Sequence, residues 1–307
     1  MNPILTRSHM SAWGLALIGA FACQAPALAT PAEAASARHQ NALPSVFRNG
    51  EVLIKVTING HPGAWMMLDT GTTDSMIDTE YAASIGLKLQ AKAQGAGGFG
   101  GEAVPSFSTD TVRVQAGTEP EKVVFFDSIR LAGMLGPDGA QLAGLLGHSF
   151  LDQRVLVIDY KNQLAYFDDK PQHPDPRDIP MTLVEGIPRI QVKMEHQWVA
   201  SLIDSGGAYS TIITPATVAK LGIEKLMNES TSVDMAGHGA GSQAIALGKA
   251  PPFSVGTISV RDVRAAYTTF GSATEALKDV DMSLGIGFLK DYKLTLNYPG
   301  STVRFEP

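Results

Sequence analysis

The sequence predicts a mostly β protein built as two similar lobes related by a pseudo-two-fold axis. Three observations carry this. Apolar and polar residues alternate with period two between Gly and Pro punctuation, a strand signal rather than a helix signal. The same succession of segments is written twice, the copies 135 to 138 residues apart. A proline-rich stretch, Pro171-Gln172-His173-Pro174-Asp175-Pro176, separates the copies and reads as a linker.

The first element, residues 1–29, is an address. Arg7 and His9 precede an apolar run from Ala12 to Ala22, too short to anchor in a bilayer, and Ala27-Leu28-Ala29 supplies small residues for cleavage. The expected location is therefore outside the cytoplasm, periplasmic or secreted. A rival processing route would acylate Cys23, the sole cysteine, and tether the protein by lipid. One cysteine also excludes an internal disulfide and a thiolate metal cluster. Residues 30–44, rich in Ala, are expected to be a flexible lead-in. No later segment is long and apolar enough to form a membrane-spanning helix.

The first lobe is expected over residues 45–170. The alternating run Ile54-Lys55-Val56-Thr57-Ile58 turns at Asn59-Gly60, and a second apolar run, Ala64 to Leu68, leads into Asp69-Thr70-Gly71. Later come Leu145-Leu146-Gly147, Phe150-Leu151 and the run Val155 to Tyr160. A linker is expected over 171–180 and the second lobe over 181–307. There, Ile190 to Met194 alternates, Trp198 to Ile203 leads into Asp204-Ser205-Gly206, and Leu284-Gly285, Phe288-Leu289 and Leu294 to Tyr298 follow. Asp69 and Asp204 are 135 apart, while Gly147 and Gly285, Phe150 and Phe288, and Tyr160 and Tyr298 are each 138 apart. Short helices are expected at Glu80 to Ile85 and Pro215 to Leu221, each closed by a glycine, Gly86 and Gly222.

Composition narrows the function. Lys plus Arg number 24 and Asp plus Glu 30, a net charge of −6 without a basic run, which disfavours a nucleic-acid partner. A charged fraction of 18% with 44% hydrophobic residues excludes a disordered chain.

A lone Asp-(Thr/Ser)-Gly is a common turn; two copies at the same place in a repeat, each behind an apolar pair, are not explained that way. Two carboxylates on strand-terminal loops, brought together at the pseudo-two-fold axis, cannot both ionise easily, so the pair holds one proton. The ionised member takes a proton from water while the protonated member donates to a carbonyl oxygen. Gly71 and Gly206 allow close approach of the loops, and Thr70 and Ser205 supply hydroxyls to bond across them. No metal and no cofactor is expected.

On these residues, and on the hydrophobic-hydrophobic-Gly segments ending at Gly147 and Gly285, the chain resembles the aspartic proteases of the retropepsin-like and pepsin-like clan. The resemblance covers residues 50 to 307 in outline. It implies two acid-protease β-barrel lobes, each Asp loop threaded by its hydrophobic-hydrophobic-Gly strand, with Asp69 and Asp204 as the catalytic dyad. Gly207 departs from the Ser or Thr usual in pepsin-like members, a place that Thr72 fills in the first lobe. Neither flap candidate carries the tyrosine usual in pepsin-like flaps.

The glycine-rich segments Gly95 to Gly101 and Ala236 to Gly241 lie about 30 residues after their aspartates. Gly97, Gly98 and Phe99 in one, and Gly237 and His238 in the other, are candidates for lids over substrate; a plain surface loop is the bland alternative. A dinucleotide site is disfavoured because Glu102-Ala103-Val104-Pro105 is a poor helix start. The remaining histidines show no metal spacing, and His148 is expected to cap or face solvent. Trp65, Trp198, Phe167 and Phe305 are expected in the core or between lobes.

The expected activity is that of an exported, monomeric aspartic endopeptidase on peptide or unfolded protein, with no membrane span. The alternative is a catalytically weak or inactive member that binds peptide or protein.

Overall fold

The computed structural model describes residues 42–307 apart from 93–95, 98–102, 169, 171–172, 237–241 and 271–276. It is mostly β, with two ten-stranded sheets, one per lobe, and a five-stranded sheet between them. The two large sheets repeat one another strand for strand. In the first lobe Gly144–Leu146 runs parallel to His61–Leu68 and antiparallel to Ser75–Asp78. In the second, Met282–Leu284 runs parallel to Gln197–Ile203 and antiparallel to Thr211–Ile213. The parallel pairing is what places the end of each Leu-Gly segment beside its Asp loop.

Local chemistry sets the helices. Thr79–Ser84 is capped by Asp78, whose side chain accepts from the Glu80 and Tyr81 N–H groups, and Pro215–Leu221 by the Thr214 hydroxyl, which accepts from the Thr217 N–H, with Pro at its start. Gly222 closes the latter at φ +67°, a left-handed turn that suits a residue without Cβ. Glu224–Asn228 adds a short helix that had no sequence signal: no side chain caps it.

The lobes meet through the five-stranded sheet, in the order Leu164–Phe167, Val155–Asp159, Lys293–Asn297, Thr302–Glu306 and Ile179–Pro180. Its two central strands come from different lobes. Leu156, Ile158, Leu294 and Leu296 on them are fully buried, each contributing about 2 kcal/mol of apolar burial, and they join both lobes into one core.

Residues at both expected boundaries are docked. Leu43, at the end of the lead-in, is 2% exposed and its N–H donates to the Ala165 carbonyl. Ile179–Pro180, at the end of the linker, is a strand paired with Val303 and Thr302. Phe167 and Phe305 are buried as expected. Trp198 is not: it is 62% exposed, because it stands at the hairpin end of its strand, beside the Met194–Gln197 pair, where burial has not begun. No helix among the described residues is long and apolar enough to cross a membrane.

Candidate active site

Asp69 and Asp204 each follow the last residue of a strand, His61–Leu68 and Gln197–Ile203. The Asp69 N–H donates to the Leu146 carbonyl at 3.0 Å and the Asp204 N–H to the Leu284 carbonyl at 2.9 Å. Three residues beyond each aspartate the loop is held again: the His148 N–H donates to the Thr72 carbonyl at 3.2 Å, and the Ile286 N–H to the Gly207 carbonyl at 2.7 Å. Gly147 and Gly285 are needed at this threading point. A Cβ on Gly147 would lie 2.6 Å from the Thr72 methyl, and one on Gly285 would lie 2.2 Å from the Tyr209 carbonyl oxygen.

The loops are locked to each other by four reciprocal bonds. The Thr70 hydroxyl donates to the Ile203 carbonyl at 2.8 Å and accepts from the Ser205 N–H at 3.0 Å. The Ser205 hydroxyl donates to the Leu68 carbonyl at 2.8 Å and accepts from the Thr70 N–H at 3.1 Å. Thr70 and Ser205 are 1% and 0% exposed, so these backbone groups have no access to water and depend on the hydroxyls.

This lock brings the carboxyls into contact. Burial and the charge of one carboxyl on the other make the pair resist a second ionisation, and each accepts the N–H two residues on, from Gly71 at 2.9 Å and Gly206 at 3.0 Å. The glycines face the opposite carboxylate: a Cβ on Gly71 would sit 2.6 Å from Asp204 Oδ1, and one on Gly206 would sit 2.6 Å from Asp69 Cγ.

An aspartyl protease family model matches residues 54–150, and a gag-polyprotein aspartyl protease model matches residues 190–291, one on each lobe. The chain belongs to the aspartyl proteases. As a member it is an aspartic-type endopeptidase, a hydrolase. Basic 7S globulin from soybean is a similar solved structure, at 10% identity and a TM-score of 0.47, over 87% of this chain and 94% of its own. No curated protein matches the sequence.

In this aspartic protease the electrostatics follow from the contact. Burial raises the Asp69 carboxyl, while the Gly71 N–H and the bond from Asp204 oppose the rise. Burial and then the charge of Asp69 push Asp204 up to about 7. Among the described residues no group of three or more His, Cys, Asp or Glu side chains is arranged to hold a metal.

Of the flap candidates, Gly97 lies in a two-stranded ladder, Ala96–Gly97 against Ala103–Val104. Gly98, Phe99, Gly237 and His238 lie outside the described residues.

Several groups near the site had no separate sequence signal. His148 caps no helix and is only partly exposed, its side chain at 23%: its ring packs on Tyr298 with centroids 5.5 Å apart, and Gly186 of the other lobe lies against it. Burial lowers its pKa. Thr73, Asp74, His148, Ser149 and Glu185 line a hollow of about 350 Å³ beside the first loop. A larger hollow of about 450 Å³, at Arg154, Asn297 and Gly300, includes neither aspartate.

Proposed function

We propose that this protein is an exported aspartic endopeptidase that hydrolyses peptide bonds of extended or unfolded polypeptide through Asp69 and Asp204. What carries the reading is that two carboxyls 135 residues apart each face the glycine of the opposite loop, a Cβ on Gly71 falling 2.6 Å from Asp204 and one on Gly206 falling 2.6 Å from Asp69, with the loops held by the reciprocal Thr70 and Ser205 bonds.

Asp69, the ionised member, accepts a proton from a water set between the carboxyls. Asp204, the protonated member, donates to the carbonyl oxygen of the scissile peptide. Water oxygen bonds to the carbonyl carbon to give a tetrahedral diol. Proton transfer to the leaving nitrogen, with cleavage of the C–N bond, then releases an acid and an amine. The Gly71 and Gly206 N–H groups keep both carboxyls oriented. Substrate lies as an added strand under the glycine-rich hairpins. The working form is a monomer, since both aspartates stand on one chain.

The deciding experiment is digestion of peptide and unfolded protein by the purified protein between about pH 3 and 7, the range suited to a coupled carboxyl pair. Asp69→Asn and Asp204→Asn are each expected to abolish cleavage with the fold intact. Cleavage retained by either folded variant overturns the dyad. Peptide binding without cleavage by the parent protein would instead make it a binding module. Export predicts a mature N-terminus at Thr30, read by mass spectrometry; a lipid-modified Cys23 would replace that route with anchoring.

A further inference from the structure

Among the described residues, the hydroxyls of Tyr160 and Tyr298 and Nδ1 of His148 are buried without a hydrogen-bond partner in the protein. Tyr160 and Tyr298 are 7% and 4% exposed and occupy the same position of the repeat, each directly after a central strand of the interlobe sheet. A buried hydroxyl left without a partner costs about 1–3 kcal/mol. The same defect made twice, at equivalent places, points to a partner that the protein chain does not itself supply.

Their surroundings lead to the two loops. Tyr298 packs on His148, whose N–H holds the Thr72 carbonyl of the Asp69 loop. Tyr160 packs edge-on to Phe47, with centroids 5.9 Å apart. The adjoining turn sets Gly50 against Ile286, whose N–H holds the Gly207 carbonyl of the Asp204 loop. The electrostatics show the same crossing. Burial and then the charge of Asp204 push the Tyr160 hydroxyl up, and burial followed by the charges of Asp69 and Asp152 do the same to Tyr298.

We propose that Tyr160 and Tyr298 are positioning residues for the aspartate pair, each hydroxyl joined through one internal water to the Asp loop of the opposite lobe. The proposal rests on the reading that Asp69 and Asp204 carry hydrolysis. A water has the required size and both hydrogen-bonding roles; buried waters make about three bonds each. A donor chain ending at a carboxylate favours its charged form, so each tyrosine holds down the pKa of the aspartate it faces. The titratable groups around Tyr298 are Asp69, His148 and Asp152. Arg154, whose carbonyl accepts the Tyr298 N–H, extends its guanidinium to Glu119 at 2.6 Å. Among the described residues the charge that bears on Tyr160 is that of Asp204, and the repeat position of His148 is held in the other lobe by apolar Ile286.

The test is the pH profile of kcat/KM for Tyr160→Phe and Tyr298→Phe. Tyr298→Phe is expected to move the acid limb, set by the ionised member, to higher pH. Tyr160→Phe is expected to move the alkaline limb, set by the protonated member, to higher pH. Each shift should be about half a unit, roughly threefold in an ionisation constant. Profiles of both folded variants that superimpose on the parent's overturn the proposal, whatever happens to kcat. If a variant does not fold, a crystal structure of the parent decides. A water bonded to each hydroxyl and to the opposite loop supports the proposal; hydroxyls without such a water overturn it. Cleavage surviving in Asp69→Asn would defeat the dyad reading alone, because the water positions are seen independently of activity.

Discussion

Val157 of one lobe pairs with Thr295 of the other, and the two are the same position of the repeat, 138 residues apart. A strand pair in which equivalent residues face each other can exist only on the pseudo-two-fold axis. On either side of it the register is mirrored, Val155 with Asn297 and Asp159 with Lys293. The interlobe sheet therefore fixes the axis about which Asp69 and Asp204 meet, and any slip of its register would displace one carboxyl from the other. The same axis explains why Thr70 and Ser205 exchange bonds reciprocally: each is the other's image.

The reciprocal lock predicts a large stability response to a small chemical change. Thr70→Val keeps shape but leaves the Ser205 N–H and the Ile203 carbonyl without partners in a site closed to water. Ser205→Ala does the same to the Thr70 N–H and the Leu68 carbonyl. Each is expected to cost about 2–4 kcal/mol, from two buried unsatisfied groups. Urea unfolding measures it; a loss below about 0.5 kcal/mol in either variant would show that the loops separate and rehydrate.

The dyad also makes stability depend on pH. Asp204 is pushed up to about 7 from an ordinary 3.8. Between those values the folded protein holds a proton that the unfolded chain has lost. Its contribution is complete below pH 3.8, declines as pH rises, and is gone above about 7. The decline is at most about 1.4 kcal/mol per pH unit. Asp204→Asn removes this dependence, so its stability advantage over the parent should grow from about pH 4 to 7 and then level off. Thermal unfolding of both proteins across this range checks it, and a difference independent of pH would contradict the raised carboxyl.

Much of this was legible because the repeat is written in residue types with local consequences. Thr214, Pro215 and Gly222 mark a helix at both ends, and the Asn59-Gly60 turn marks a hairpin. Leu146-Gly147 and Leu284-Gly285 mark the threading strands once the aspartates are paired. What could not be read depends on where one lobe touches the other. Nothing local distinguishes His148 beneath Gly186 from a solvent-facing histidine, or a Tyr160 hydroxyl without a partner from one in water. Trp198 is hidden from a sequence reading for a related reason: it lies at the hairpin end of its strand, and how far along that strand burial begins is decided by neighbouring strands.

The loop glycines should be more sensitive in activity than in folding. Gly71→Ala would set a methyl 2.6 Å from Asp204 Oδ1, and Gly206→Ala would set one equally near Asp69. Separating the carboxyls is the simplest relief, and it breaks the shared proton. Cleavage should fall by at least about a hundredfold, the effect expected when catalytic groups are misplaced by about 1 Å, with circular dichroism unchanged. Near-parental turnover would show that the carboxyls need not touch.

The last prediction separates conformational strain from contact at the seam. Gly60 and Gly186 have nearly the same left-handed backbone, φ +81° and +82°, so alanine is strained at both. They differ in what a methyl would meet: nothing within 4 Å at Gly60, but the His148 ring at 2.1 Å at Gly186. Gly60→Ala should therefore cost only the backbone term, about 1 kcal/mol. Gly186→Ala should cost about 2–4 kcal/mol, because overpacking a buried contact adds to that strain. Adding His148→Ala empties the space the methyl needs, so the double variant should lose less than the sum of the two single changes. Urea unfolding of the four variants reads each term. Equal losses at Gly60 and Gly186, or strict additivity with His148→Ala, would mean that the Gly186 turn does not bear on the opposite lobe in solution.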